Sequence, residues 1–264
     1  MKPLIIIGVL GMTGCAASNP PHLMTFAEYN RVNHAVPYVL RMDGAKGALL
    51  YFGAEHIAGK PSHPQVQEIV KLWQSFRPTL ALNEGGDPPV AASLEEGVAQ
   101  YGEPGLVRVL AARDAIQCRT FEPRRADEVM FLLKHYSAEE IKLFYVLRDV
   151  AQNSGSLPAD AMNRQVQGSL SYMRRSVPGV AGWRVISVDD LDPAAENPNR
   201  LQSLNADLAL FRDAHILDVL EAEVRRGERV FAVVGASHVV MQESVLRARL
   251  AEQGRLTRVA PDGR

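Results

Sequence analysis

Short apolar runs recur along the chain, each bounded by polar or turn-forming residues. Runs of four to eight residues that are continuous rather than alternating are typical of strands covered on both faces. The pattern predicts strands at residues 47–53, 79–84, 116–121, 184–188, 229–235 and 255–260.

Between these runs, apolar residues recur at spacings of three and four, the period of an amphipathic helix. The stretch 63–76 has Pro64 at a first-turn position, where proline is tolerated. The stretch 137–150 opens with Ser137 and Glu140, the two members of a capping box. The stretch 206–228 reaches Gly227, a residue suited to end a helix. We therefore expect a helix in each of these three stretches.

The order of strands and helices predicts an α/β fold with a mostly parallel central sheet and flanking helices. Residues of about 124–175 have little strand character, and we expect them to form an inserted helical subdomain. One domain over residues 25–264 accommodates all of these elements.

Composition and charge narrow the class of partner. The chain has 264 residues, of which 47% are hydrophobic and 22% charged, as in an ordinary globular protein with a substantial core. Lys and Arg number 29 against 30 for Asp and Glu, and no basic stripe with interleaved aromatic residues is present. Nucleic acid is therefore not an expected partner.

The N-terminal stretch "MKPLIIIGVLGMTGC" has one Lys before a short apolar segment that ends in small residues. This is the layout of a secretory signal, and the segment is too short to span a bilayer as a stable helix. "MTGC" resembles a bacterial lipobox, which implies a signal peptide at 1–14, lipidation of Cys15 and a tether over 15–24. We accordingly expect a lipid-anchored protein of the bacterial cell envelope that faces the periplasm, with a plain cleaved signal as the alternative.

Two of the predicted strands end in the same pattern, Gly-x-x-His. "GAEH" contains Gly53, Glu55 and His56, and "GASH" contains Gly235 and His238. Glycine permits a sharp turn at a strand end, so that the histidine can point back over the sheet edge. Glu84 closes another predicted strand. Because ligands bind beyond the carboxyl ends of parallel strands, we expect His56, His238 and Glu84 to converge there.

Two chemistries fit such a set. With His56, Glu84 and His238 as ligands it would form an open divalent-metal site for Zn, Mn or Co, with a position left for water. Without a metal, Glu55 or Glu84 would activate a histidine that activates water. The candidate catalytic residues are therefore Glu55, His56, Glu84 and His238. It also stays open that each motif only builds a tight strand end around a packed histidine.

Arg212 and Asp213 lie on the predicted helix before the second motif. Adjacent residues point to different sides of a helix, so we expect at most one of them to face the site. Arg212 is expected to bind an anionic group of the substrate or to keep Glu84 ionised. Among the other histidines, His63 is a secondary candidate, and His215 is expected to pack in the core or at the surface rather than to act in the site. The remainder are expected at the surface: His22, His34 and His135.

The motif series resembles that of the TraB/Tiki proteins, the erythromycin-esterase-like proteins and the ChaN haem-binding lipoproteins. The resemblance covers about residues 47–254 and rests on "GAEH", "LALNEGG", "RD" and "VFAVVGASHV". It implies an α/β fold in which the two histidines and the acidic residue face one cleft. Glu55 in the first motif and Asp213 after Arg212 are closer to the esterase-like and ChaN branches.

The resemblance implies two main functions. One is a hydrolase of an amide or ester, on a small-molecule or peptide substrate, with or without a divalent metal. The other is a ChaN-like lipoprotein that binds haem or another small ligand without catalysis. A member that keeps the fold and only binds a partner protein is the third alternative, because a fold does not determine a function.

Overall fold

A mixed sheet lies at the centre of the computed structural model, which describes residues 20–153, 160–161, 164–165, 167–169, 171, 191–195, 198–251 and 256–257. Within these residues the sheet has six strands in the order β4-β3-β5-β2-β1-β6. Their bounds are β1 Tyr38–Asp43, β2 Ala48–Ala54, β3 Leu80–Asn83, β4 Gln117–Thr120, β5 Arg229–Gly235 and β6 Leu256–Thr257.

Strands β2, β3, β4 and β5 run parallel to one another, whereas β1 and β6 are antiparallel at one edge. The register of β2 and β5 pairs Gly53 with Val234 and Ala54 with Gly235. The two Gly-x-x-His motifs therefore leave neighbouring strands at the same edge of the sheet. The predicted α/β fold with a mostly parallel sheet is confirmed.

The four parallel strands coincide closely with four of the six predicted runs. The other two predicted runs are those at 184–188 and 255–260. Strand β1 was not predicted, because its burial alternates along the strand and its face carries Arg41. An edge strand covered on one side has no continuous apolar run. Of the run at 255–260, residues 256–257 are described and pair antiparallel with β1. The run at 184–188 lies outside the described residues.

The helices are α1 Phe26–Tyr29, α2 Pro64–Phe76, α3 Leu94–Arg113, α4 Arg125–Leu132, α5 Ala138–Asn153, α6 Arg200–Arg226 and α7 Ala236–Ala251. The three predicted helices correspond to α2, α5 and α6. The Ser137–Glu140 capping box forms, and α6 ends at Gly227 in the left-handed region, with φ of 102°. Helix α6 begins at Arg200, earlier than predicted, because Asn199 and Gln202 form a second capping box.

Each face of the sheet is covered by a pair of helices, which explains the continuous apolar runs. In β2, Leu49 and Tyr51 pack with residues of α6 and α7. Leu50 and Phe52 point to the opposite face and pack with residues of α2 and α3. Alternate side chains of one strand thus enter different cores.

A third hydrophobic cluster joins α4 and α5 to the N-terminal half of α6, through residues such as Leu132, Phe144 and Leu204. The 27 residues of α6 span about 40 Å. Its C-terminal end leads into the start of β5, so its N-terminal half extends beyond the carboxyl ends of the parallel strands. Helices α4 and α5, which belong to the described part of the predicted helical region, therefore pack on α6 next to that edge.

The N-terminal part of the described chain contacts α7. The backbone carbonyl of His22 accepts a hydrogen bond from Ser244, and the Met24 N–H donates to Met241 at 3.1 Å. Within the described residues, His22 and Met24 of the segment predicted as a tether thus contact the folded body. Among the helices of the described residues, none combines the length and the apolar character needed to cross a bilayer. Cys15 and the signal segment lie outside the described residues.

Candidate functional site

A cavity of about 640 Å³ lies beyond the carboxyl ends of the parallel strands, between the sheet and helices α3, α4, α5 and α6. Its charged or hydrogen-bonding lining side chains are His56, Glu84, Tyr101, Glu103, Glu122, Arg125, Glu128, Arg148 and Arg212. Ligands bind at this edge of open parallel sheets. The cavity is therefore the candidate functional site.

His56 and Glu84 both lie close to Gly235. A Cβ atom at Gly235 would lie 3.2 Å from His56 Nε2 and 3.7 Å from Glu84 Oε2. The three residues come from the ends of β2, β3 and β5, which are neighbours in the sheet. The glycine of the second motif therefore makes room for the histidine of the first, and the His56 side chain stays exposed to the cavity.

Glu84 is held at three points. Its Oε2 accepts a hydrogen bond from the Gly235 N–H at 2.9 Å. Its Oε1 lies 3.4 Å from Arg212 Nη2 and 3.5 Å from His238 Nε2. Burial alone would raise the pKa of Glu84, but the charges of His238 and Arg212 and the Gly235 hydrogen bond outweigh it and lower the pKa. Glu84 is thus a positioned carboxylate.

His238 lies behind Glu84 and does not line the cavity. It is in the first turn of α7, only 8% exposed, and its Nδ1 is 2.6 Å from Asp213 Oδ1. Burial lowers the pKa of His238, but the Asp213 hydrogen bond and the charge of Glu84 outweigh this, so that the net shift is upward. The helix begins directly after Gly235, so His238 extends from its first turn, and its Nε2 lies 3.5 Å from Glu84 Oε1.

Arg212 is surrounded by carboxylates. It donates a short hydrogen bond to Glu122 Oε1 and lies within ion-pair distance of Glu84 and Glu128. Asp213 is fully buried at 0% exposure and also accepts a hydrogen bond from Gln242 Nε2 at 2.8 Å. Arg212 lines the cavity, as expected for one member of the pair, whereas Asp213 does not line it and is buried rather than at the surface. Arg212 and Asp213 contact Glu84 and His238 respectively, and the latter two lie side by side.

Glu55 is not part of this arrangement. Its side chain is exposed, is not part of the cavity lining, and its Oε2 lies 3.8 Å from His63 Nε2. The backbone N–H and carbonyl of Glu55 both bond to the side chain of Gln65. His63 is the N-cap residue of α2. The structure thus places Glu55 and His63 beside the first motif, outside the cavity.

Glu103 is a cavity residue that the sequence analysis missed. Its Oε1 accepts hydrogen bonds from the Ile57 N–H at 3.1 Å and from Gln65 Nε2 at 3.0 Å. Burial raises the pKa of Glu103, although these hydrogen bonds and the charge of His56 oppose the shift. Glu103 lies where α3 kinks at Gly102, whose φ is 62°. The only local signal for α3 was Ser93 followed by Glu96, which caps the start of the helix, upstream of Glu103.

Four further charged residues were also missed: Glu122, Arg125, Glu128 and Arg148. Glu122 lies just beyond the end of β4, so the rule that identified Glu84 applies to it as well. Arg125 begins α4, and Arg148 lies on α5. Their place in the cavity wall depends on how α4 and α5 pack on α6, for which the local sequence has no signal.

The residues proposed as metal ligands do not form a metal-binding group. Within the described parts of the chain, no set of three or more His, Cys, Asp or Glu side chains has a geometry suited to a metal ion. Both ring nitrogens of His238 face carboxylates, and both oxygens of Glu84 have partners. A bound divalent metal would have to displace these partners.

Comparison with family models, curated proteins and solved structures produced no match to this chain.

Proposed function

We propose that this protein is a hydrolase of amide or ester bonds in which His56 acts as the general base. The observation that carries the proposal is that His56 and Glu84 both line the cavity and both lie close to Gly235. An accessible imidazole next to a carboxylate that stabilises its protonated form is a common water-activating pair. The positions taken from the TraB/Tiki, esterase-like and ChaN resemblance, apart from Glu55, lie in this one connected network.

Opposite pKa shifts support separate roles for two carboxyl groups. The pKa of Glu84 is lowered and that of Glu103 is raised. When the pKa values of two carboxyl groups are shifted in opposite directions, one group commonly acts as the acid and the other as the base. We assign Glu84, whose pKa is lowered, to His56, and Glu103, whose pKa is raised, to protonation of the leaving group.

In the proposed reaction, His56 removes a proton from water as the water oxygen bonds to the acyl carbon. Glu84 stabilises the imidazolium that forms. The bond from the acyl carbon to the ester oxygen or amide nitrogen then breaks, and Glu103 protonates the leaving atom. Proton exchange with solvent restores His56 and Glu103. His238 and Asp213 are positioning residues, because His238 holds Glu84, Asp213 holds His238, and neither lines the cavity.

The test is hydrolysis of a panel of p-nitrophenyl esters and p-nitroanilide amides by the full mature chain. His56→Gln should lower kcat/KM by about 10²–10⁴-fold, the usual contribution of a general base. His135→Gln is the matched control, because His135 is exposed and outside the cavity. Full activity in His56→Gln, or no hydrolysis of any substrate, would overturn the proposal.

Elemental analysis and chelation test the metal-free form of the mechanism. We expect purified protein to keep its activity after dialysis against EDTA. Loss of activity that is restored by Zn, Mn or Co would replace it with the metal-dependent form, with His56, Glu84 and His238 rearranged as ligands.

The second candidate function is binding of haem, which one observation favours. His56 and Tyr101 both line the cavity, and both residue types serve as axial ligands of haem iron. Titration of the protein with haemin tests this candidate. A Soret shift that is lost in His56→Gln or Tyr101→Phe would support it, and an unchanged spectrum would reject it.

We also propose that the protein is anchored in the bacterial envelope through acylated Cys15 and faces the periplasm. The lipobox-like "MTGC" carries this proposal, and the contact of His22 with α7 leaves a short connection to the folded body. Mass spectrometry of the membrane fraction should show diacylglycerol on Cys15. In Cys15→Ser, an unacylated soluble product is expected.

A further inference from the structure

Three guanidinium groups, those of Arg125, Arg148 and Arg212, line the cavity. They differ in how far their charge is already neutralised. Arg212 has Glu84, Glu122 and Glu128 within ion-pair distance. The protein's own carboxylates thus neutralise the charge of Arg212. Arg212 is therefore poorly suited to the substrate-binding role predicted from the sequence.

Arg148 is in the opposite situation. It is half-buried on α5, and among the described residues it has neither a hydrogen bond nor an ion pair. Burial lowers its pKa, and the positive charges of Arg212 and Arg125 act in the same direction, although Glu128 opposes them. A half-buried cation with unused donors costs free energy unless an anion comes to it.

Arg125 provides a second positive group nearby. Its guanidinium lies 3.9 Å from the centre of the Tyr145 ring and 3.5 Å from Glu128 Oε2. Glu128 is shared, because it also lies 3.6 Å from Arg212 and accepts a hydrogen bond from Tyr145. The Glu128 carboxylate is therefore shared between Arg125 and Arg212. The positive charge on the α4–α5 side of the cavity is only partly neutralised, so an anion can still bind there.

We infer that Arg148, with Arg125 beside it, binds an oxyanion of the substrate, a carboxylate or a phosphate, in the wall of the cavity formed by α4 and α5. The planar guanidinium presents paired N–H donors that suit both groups. This inference rests on the proposed function. It narrows the substrate to an ester or amide that carries a negative group, held by Arg148 while the acyl carbon lies near His56.

The test measures anion binding without turnover. The full mature chain is titrated separately with inorganic phosphate and with acetate, and binding is followed by calorimetry and by the NMR signals of the arginine Nε–H groups. We expect saturable binding of at least one anion, and the anion that binds more tightly distinguishes phosphate from carboxylate. Arg148→Gln should weaken binding about tenfold or more, the loss of a charge-assisted hydrogen bond.

Arg225→Gln is the matched control, because Arg225 lies in the last turn of α6, away from the cavity, and pairs with Glu221 on the same helix. It should bind anions as the wild type does. Arg148→Gln should unfold at the same temperature as the wild type or higher, because it removes an unpaired, half-buried cation. An arginine with a merely structural role would show a lower unfolding temperature instead.

Two results would overturn the inference: no saturable binding of either anion, or equal affinity in Arg148→Gln and wild type. Its failure is separable from that of the proposed function. A protein that hydrolyses esters but binds neither anion keeps the hydrolase proposal and rejects the anion site. A protein that binds an anion through Arg148 but hydrolyses nothing rejects the hydrolase proposal alone.

Discussion

His238 Nδ1 lies 2.6 Å from Asp213 Oδ1, and both side chains are buried between α6 and α7. The other ring nitrogen of His238 lies 3.5 Å from Glu84 Oε1. The imidazole thus connects a buried aspartate to the carboxylate at the cavity. This arrangement favours a protonated His238 that stabilises two carboxylates at once.

Asp213→Asn should lower the pKa of His238 below its wild-type value, because the amide no longer stabilises the imidazolium. The free energy of unfolding should fall by about 1–3 kcal/mol, since Asp213 Oδ2 has no hydrogen-bond partner among the described residues and an amide NH₂ would bury unused donors there. NMR titration of His238 and urea unfolding measure the two effects. Asp218→Asn, on the exposed side of α6, should change unfolding by less than about 0.5 kcal/mol.

Gly235→Ala should disturb the site more than the fold. The new methyl group would lie 3.2 Å from the His56 ring, at the end of a side chain that can move away. We expect His56 to shift from Glu84 and kcat/KM to fall at least tenfold, with the unfolding temperature within a few degrees of wild type. Gly168→Ala, which meets no atom within 4 Å, is the control for the added methyl group. Wild-type activity in Gly235→Ala would contradict the geometry at the two strand ends.

Gly53→Ala, in contrast, should mainly destabilise the fold. Its Cβ would lie 2.8 Å from the Tyr38 carbonyl oxygen and 2.9 Å from the Ala236 Cα, and backbone atoms cannot yield as a side chain does. We expect a loss of about 1–3 kcal/mol or more in the free energy of unfolding. Thermal and urea unfolding of Gly53→Ala and Gly235→Ala, measured together, will show whether the Gly53 substitution lowers stability more than the Gly235 substitution does.

Arg212→Gln should destabilise the protein by about 3–5 kcal/mol, because three carboxylates at the base of the cavity lose their shared cation. The same substitution should raise the pKa of Glu84, whose ionised form Arg212 supports. Urea unfolding at neutral and at acidic pH measures both consequences. In Arg212→Gln the loss of stability should shrink as pH falls and the carboxylates become protonated. A constant loss across this range would contradict the assigned ion pairs.

Stability should decline at both ends of the pH range for two identifiable reasons. The pKa of Glu84 is lowered in the folded protein, so its contribution is present above about pH 4.5 and is lost as pH falls through the folded value. The pKa of His238 is raised, so its contribution is complete below about pH 6.5 and is lost as pH rises through the folded value. Urea unfolding from pH 3 to 9 should show a reduced acid-side slope in Glu84→Gln and a reduced alkaline-side slope in His238→Gln.

Much of the fold follows from local patterns. The continuous run in β2 predicts a strand with both faces covered, and its residues do enter two separate cores. Strand β1 escaped prediction because an antiparallel edge strand buries alternate positions and contributes no continuous run. The kinked helix α3 escaped as well, since Gly102 and Pro104 interrupt its helical pattern.

The sequence by itself determined that the two Gly-x-x-His motifs and Glu84 end parallel strands, and parallel strands bring their carboxyl ends to one edge. Tertiary structure alone decided which side chains face the cavity. His56 enters it, the Glu55 carboxylate lies outside it near His63, and His238 is held beneath it by Asp213. The physical reason is that strand position follows from local hydrophobic periodicity. The direction of a polar side chain depends on partners far away in the chain, such as Asp213 for His238 and three carboxylates for Arg212.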